Sequence, residues 1–209
     1  MIDLYTWTTP NGRKVSILLE ELGVPYTSHA INITKGEQNE ADFLKISPNN
    51  KIPAIVDHET GVNLMESGAI MIYLAEKHGK FLPTNPIARA NVMQWLMWQM
   101  GGLGPMAGQT HHFVHFNPGN APYAEERFTT EVKRLYRVLN TQLESRDYIC
   151  DTYSIADMAC WPWVSRYEWQ GIDLREYPAV REWYQRLLQR EAVQKGYHVP
   201  KAMGEIPAG

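Results

Sequence analysis

Two short strings carry the residues whose types and spacing suit a specific chemistry. One is Asn49-Asn50-Lys51-Ile52-Pro53-Ala54-Ile55 and the other is Glu66-Ser67-Gly68-Ala69-Ile70. A proline at the start of a strand donates nothing to the ladder. If the Ile52–Pro53 bond is cis, the chain bends so that the backbone of Ile52 faces outward, and an extended peptide can pair with it as an added strand. Ser67 suits a helix N-terminus, where free backbone N–H groups favour an anion. Glu66 beside it can hold an ammonium. A carboxylate and an ammonium on one carbon make the head of an α-amino acid. Each string alone has a plain structural reading, a strand edge or a helix cap. In this order they describe a site for a small peptide with a free amino-acid end.

The elements that must position these strings follow from periodicity. Ile2 to Trp7 is a β-branched and aromatic run, and Thr8-Thr9-Pro10-Asn11-Gly12 reads as a turn. Lys14 to Leu22 is helical, with Val15, Leu18, Leu19 and Leu22 on one face and Gly23 as its C-cap. Tyr26 to Ile33 reads as a second strand and Glu40 to Ile46 as a short helix. Ile52 to Asp57 and Val62 to Met65 form a hairpin around Glu59-Thr60-Gly61, and Ser67 to His78 is a helix with Ile70, Tyr73 and Leu74 inward. The order βαβ, α, ββα implies a parallel pair with a right-handed crossover and a closing antiparallel hairpin. It is the order of a thioredoxin-like domain.

Gly79 to Pro86 carries two prolines, and strand signals cease beyond it. Helices are expected over Ala88 to Met100, Tyr123 to Glu144, Ile155 to Tyr167 and Ala179 to Arg190. The long one carries Phe128, Val132, Leu135, Leu139 and Leu143 along one stripe. The expected fold class is α/β plus all-α. Residues 1–79 form the thioredoxin-like domain, 80–87 the linker and 88–209 an all-helical domain. In Tyr153-Ser154-Ile155-Ala156-Asp157, Ser154 at the N-cap and Asp157 at N3 make a capping box, which serves folding and not catalysis.

Composition excludes several classes. Of 209 residues 44% are hydrophobic, and a net charge of −3 comes with no basic block, which argues against nucleic acid as the main partner. Apolar runs fall far short of the ~20 residues that span a bilayer. No basic, apolar leader pattern opens the chain, and the expected location is cytoplasmic. The only cysteines, Cys150 and Cys160, form neither a CxxC nor a metal-ligand pair, and Cys160 lies in an apolar stretch. His111, His112 and His115 have helical metal-ligand spacing, but no Cys, Asp or Glu cluster stands near them, and no metal is expected. Tyr5, inside the first strand, reads as core rather than as a catalytic phenol.

With these strings in hand, the chain resembles the glutathione transferase family along its whole length. Ile52-Pro53 and Glu66-Ser67 match that family's glutathione site. Thr8-Thr9-Pro10-Asn11-Gly12-Arg13-Lys14, Ser47 to Pro53, Gly101-Gly102-Leu103-Gly104-Pro105-Met106 and His111-His112-Phe113 are similar to the nu class, the bacterial glutathione-dependent disulfide-bond oxidoreductases. The resemblance implies that Thr9 and Asn11 sit beside the glutathione sulfur as the catalytic pair. It implies glutathione contacts at Asn11, Gln38, Ile52, Pro53, Glu66, Ser67 and Arg127. Without it, Arg127, off the apolar stripe, reads as a solvated arginine, and Lys51 fits either a solvated lysine or a carboxylate contact. The implied activity is disulfide reduction by thiol–disulfide exchange through bound glutathione, with no protein cysteine as nucleophile, on small-molecule or protein disulfides. A homodimer is implied, with the stretch from Trp95 to Met100 serving core and subunit interface. Two other readings remain: conjugation of electrophiles or reduction of hydroperoxides, and a non-enzymatic glutathione-binding module like the class's fungal relative.

Overall fold

A computed structural model describes residues 1–209. Its one sheet holds β1 (Ile2–Thr6), β2 (Tyr26–Ala30), β3 (Ala54–Asp57) and β4 (Val62–Met65) in the order β2-β1-β3-β4. β1 runs parallel to β2 and antiparallel to β3, and β3 pairs antiparallel with β4. Alternation along β1 sends Ile2, Leu4 and Thr6 into the core and leaves Asp3 and Tyr5 half-buried on the opposite face. Tyr5 is therefore not core. Its ring stacks on His29 with centroids 4.7 Å apart and lies 6.3 Å from that of Phe43.

The first helix, α1 (Pro10–Leu22), begins four residues before the expected Lys14. Thr9 is its N-cap and Pro10 its first residue, where a missing N–H costs nothing. The stretch read as a turn is thus a cap and a first helical turn. Gly12 is required there, because a Cβ would stand 2.3 Å from the Trp7 carbonyl oxygen. α2 (Ala41–Ile46) and α3 (Ser67–His78) match the expected spans closely. α1 packs on α3 and α3 on β3 and β4, with Val15, Leu18, Leu19, Ile70, Met71 and Leu74 buried. Tyr73 instead stays half-buried and donates to Asp57 Oδ2 at 2.7 Å. Asp57 is fully buried at the end of β3. Burial raises its pKa, but hydrogen bonds from Lys77, Tyr73 and the Glu59 N–H outweigh that and hold it at about 2.

After Pro83 the chain is helical: α4 (Pro86–Trp98), α5 (Gly104–Thr110), α6 (Pro122–Leu143), α7 (Ile155–Val164) and α8 (Pro178–Leu188). Gln99–Leu103 and His111–Phe116 are π-helical segments that carry the chain on from α4 and α5. Only Val92 and Leu96 of α4 are buried; Trp95 and Trp98 are half-buried and Met97 is 47% exposed. The core of this unit instead takes Val132, Leu135, Tyr136 and Leu139 of α6, all of α7, and Trp183, Tyr184 and Leu187 of α8.

The last helix, α9 (Glu191–Tyr197), was absent from the expected pattern, and it alters the domain organisation. Two compact units emerge, Met1–Leu82 with Gln189–Ile206, and Pro83–Leu188 with Pro207–Gly209. The expected helical domain over 88–209 thus loses most of its last twenty residues to the first unit. The reason is a close contact between α1 and α9. Ser16 Oγ donates to the Gly196 carbonyl at 2.6 Å, and buried Arg13 donates from Nε to the Tyr197 carbonyl at 3.0 Å while lying over that ring. Arg190 forks onto Glu21 at 2.6 and 2.8 Å. A Cβ on Gly196 would stand 2.6 Å from Ile17 Cα and 2.7 Å from its N, backbone atoms that cannot yield.

Two predictions follow from this packing. Gly196→Ala should lower stability by about 2–3 kcal/mol through overpacking, although alanine is the better helix former. A thermal melt lowered by about 5–10 °C is the expected reading, and an unchanged melt would show that the α1–α9 contact is looser than described. The second concerns the capping box of α7, where Asp157 accepts from Ile149 N, Trp183 Nε1, Ser154 N and Ser154 Oγ at 2.9–3.2 Å. Burial outweighs those bonds and drives its carboxyl up from 3.8 to about 6. A carboxyl raised on folding gives its full stabilisation below the unfolded value and loses it as pH rises through the folded one. Unfolding free energy should therefore fall between about pH 4 and 6, and Asp157→Asn should flatten that slope. Urea titrations at several pH values test this, and identical slopes in both proteins would refute it.

Candidate functional site

The sheet register gathers the chemistry-bearing strings at one end of the sheet. Ala54 pairs with Tyr5 on one side and with Met65 on the other. The end of β1, the start of β3 and the end of β4 are therefore adjacent. From those three points the chain continues into Thr9, comes from Ile52-Pro53, and continues into Glu66-Ser67. β2 ends beside β1, with Ala30 paired to Thr6, and leads toward Gln38. Thr9, Asn11, Gln38, Ile52, Pro53, Glu66 and Ser67, far apart in sequence, thus all lie on connections at one end of the sheet. This is the end of an open α/β sheet where ligands bind.

Each segment is held locally. Thr9 Oγ1 accepts the Gly12 N–H at 3.2 Å, so the hydroxyl proton remains to donate elsewhere. Asn11 occupies the second position of α1, whose first turn holds no acidic side chain to offset its partial positive charge. The Ile52–Pro53 bond is cis, and no hydrogen bond within the chain engages the Ile52 backbone. The loop before it is fixed: Ser47 Oγ donates to the Lys51 carbonyl at 2.8 Å, and Asn50 Nδ2 to Asn39 Oδ1 at 2.8 Å. Gln38 lies in a 3₁₀ turn over Glu37–Asn39, and its Oε1 is buried with no hydrogen-bond partner. Pro53 is buried and Ile52 half-buried; Lys51 is exposed.

Glu66 departs from ordinary backbone geometry. With φ 70 and ψ 110 it stands in a region that costs a non-glycine residue about 1–3 kcal/mol and concentrates at functional sites. Its side chain is exposed, while Ser67 behind it is 4% exposed. No side chain caps α3, and its first turn holds no acidic residue. The sequence does not signal this strain, since nothing about a glutamate marks positive φ. It likewise conceals the burial of Lys14, which is 1% exposed and donates to Ser67 Oγ at 3.4 Å.

Arg127 belongs to the helical unit. It is exposed on α6 and lines an open groove of about 680 Å³ with Met106, Tyr123, Phe128 and Glu131. His111 is buried among aromatic rings, within 5.6 Å of Trp163 and 5.5 Å of Trp169 between centroids, and contacts Gln170 Nε2 at 3.3 Å. Burial first, then Arg166 and His115, push its pKa down to about 4, so it is a neutral, structural imidazole. No group of three His, Cys, Asp or Glu side chains converges as metal ligands. Neither Cys150 nor Cys160 is in a disulfide, both are buried, and burial lifts the Cys150 thiol to about 12. No helix is long and apolar enough to cross a membrane.

The fold is a glutathione-transferase architecture. The glutathione S-transferase N-terminal domain model matches residues 1–76 and the C-terminal domain model matches residues 122–186. The chain belongs to the glutathione S-transferase family. It is 52% identical over 198 residues to the disulfide-bond oxidoreductase YfcG of Escherichia coli, covering 92% of each chain. It is 39% identical to a second Escherichia coli disulfide-bond oxidoreductase, YghU, over 98% of this chain and 77% of that one. A glutathione transferase from Pseudomonas putida, solved with one glutathione disulfide bound per subunit, superposes with a TM-score of 0.89 at 41% identity, over 95% of this chain and 91% of that one. One from Burkholderia graminis, with two glutathione molecules per subunit, gives 0.88 at 40% identity, over 96% and 88%.

Proposed function

We propose that this protein is a glutathione-dependent disulfide-bond reductase of the nu class that works without a cysteine nucleophile of its own. The observation that carries the reading is the convergence of the segments around Thr9, Ile52-Pro53 and Glu66-Ser67 at one end of the sheet, together with two cysteines too buried to serve. A thiol pushed to about 12 is almost wholly protonated at neutral pH, and Cys160 has no exposed surface. The reactive sulfur then comes from glutathione. The names of the Escherichia coli relatives and the glutathione disulfide in the Pseudomonas putida protein support this assignment.

In this mechanism glutathione lies at the end of the sheet, along the segment that leads into β3. Its cysteinyl backbone pairs with Ile52, held outward before Pro53. Glu66 takes the γ-glutamyl ammonium, and Ser67 with the start of α3 takes its carboxylate. Gln38 gives a further polar contact. Thr9 and Asn11 donate to the sulfur at the N-terminus of α1, and this favours the thiolate. The thiolate attacks a disulfide, forms a mixed disulfide and expels one substrate thiolate, which takes up a proton. A second glutathione thiolate attacks the glutathione sulfur of the mixed disulfide, releasing the other substrate thiol and glutathione disulfide. The protein supplies orientation and thiolate stabilisation. Arg127 serves a glutathione carboxylate; a second glutathione per subunit, as in the Burkholderia graminis protein, is one source of it.

The substrates are small-molecule or protein disulfides, the assembly is a homodimer, and the setting is the cytoplasm, whose glutathione pool supplies the reductant. The half-exposed tryptophans and exposed Met97 of α4 suit a subunit interface. Conjugation is the second reading, favoured by the family name. Comparing turnover of hydroxyethyl disulfide with that of an aryl halide separates the two.

Two variants test the mechanism. Replacing both Cys150 and Cys160 by Ala should leave disulfide reductase kcat/KM within about twofold of wild type; loss of turnover in a folded protein would overturn the cysteine-free route. Thr9→Val removes the donor while keeping the shape. It should cut kcat/KM about tenfold or more and raise the apparent pKa of the pH–rate profile. An unshifted profile would remove Thr9 from the sulfur site.

A further inference from the structure

We infer that Lys201 is a specificity-determining residue that makes the enzyme prefer disulfides bearing a carboxylate. The inference rests on the disulfide-reductase reading and names the substrate class of that same site. Its basis is the path of the chain through the last part of the first unit. α9 runs antiparallel to α1. Arg190 meets Glu21 near the end of α1, Gly196 meets Ser16 and Ile17 midway, and Tyr197 meets Arg13 near its start. The segment after α9 keeps that direction, and Lys201 places its ammonium 4.3 Å from the centre of the Trp7 ring. Trp7 joins β1 to the cap of α1. Its carbonyl accepts the Thr9 N–H at 2.7 Å and lies against Gly12. The segment therefore arrives at the start of α1, where Thr9 and Asn11 stand.

The charge it brings there is available to a ligand. Lys201 is exposed and forms no ion pair. The face of a half-buried indole steadies the cation without cancelling its charge. By contrast, Lys45, Lys77 and Lys195 are each paired with carboxylates of the chain itself. In the glutathione reading the γ-glutamyl head is held at Glu66 and Ser67. A cation at the start of α1 then stands beside the sulfur and whatever is joined to it. A disulfide attacked there brings its departing half close to Lys201. A carboxylate on that half is attracted, a neutral half gains nothing, and an ammonium-bearing half is repelled. Because the lysine is exposed, salt should erode the preference.

A lysine that only ties the segment to Trp7 would affect all disulfides alike, and the test exploits this. Turnover with glutathione is measured for anionic 3,3′-dithiodipropionate, neutral hydroxyethyl disulfide and cationic cystamine. Each kcat/KM is divided by the uncatalysed rate constant with glutathione, which removes differences in intrinsic reactivity. In Lys201→Met, which keeps the apolar stem, the ratio of dithiodipropionate to hydroxyethyl disulfide should fall about fivefold, chiefly through KM. The ratio of cystamine to hydroxyethyl disulfide should rise. Equal changes for all three, or no change, would overturn the proposal. The wild-type protein gives a second answer that needs no variant. Raising salt from about 20 to about 500 mM should lower its dithiodipropionate ratio about threefold, and a ratio indifferent to salt would overturn the proposal. Turnover of none of the three disulfides by the wild-type protein would instead remove the disulfide-reductase reading, and this inference with it.

Discussion

The double pairing of Ala54 is the constraint on which the rest depends. It places β3 between β1 and β4, with Tyr5 and Met65 as direct neighbours. Strand side chains alternate with a period of two, so a slip of one residue would invert every face of β3. It would also shift Ile52, Glu66 and Thr9 out of line with one another. Pro53 stands just before this strand, where its missing N–H takes nothing from the ladder. Sheet hydrogen bonding therefore locates the candidate site, while the candidate residues lie on connections outside it.

The second constraint is the contact between α1 and α9. α1 carries Thr9 and Asn11 at its start, and its outer face is not left to water. Arg13, Ser16 and Glu21 meet Tyr197, Gly196 and Arg190. A buried guanidinium is costly unless its donors are used. Arg13 gives its Nε–H to the Tyr197 carbonyl and lays its guanidinium on that ring, and in doing so anchors the chain's last helix to the first unit.

Buried charges mark the architecture more than the chemistry. Asp57 and Asp157 are both fully buried, yet their carboxyls move in opposite directions. Asp57 has an ammonium partner in Lys77, which offsets desolvation; Asp157 has only neutral donors, and burial prevails. Both hold elements in place. The two thiols are sequestered in the same interior.

The sequence by itself determined much of this. Hydrophobic periodicity placed every strand and most helices to within a few residues, because those patterns record which face is buried. The capping box at Ser154 and Asp157 was legible because its partners are three residues apart. Thr9-Pro10 even carried the start of α1, a cap and an N1 proline that the turn reading overlooked. Tertiary structure alone decided what depends on partners distant in the chain. Lys14 is a buried donor because Ser67, fifty-three residues on, lies beside it. α9 joins the first unit because a glycine lets it reach the backbone of Ile17. Glu66 holds a positive φ at the turn from β4 into α3, and Tyr5 finds its ring partners in His29 and Phe43, twenty-four and thirty-eight residues on. Local pattern encodes which face is buried; burial of a charge, and convergence at a site, are set by contacts that exist only once the chain has folded.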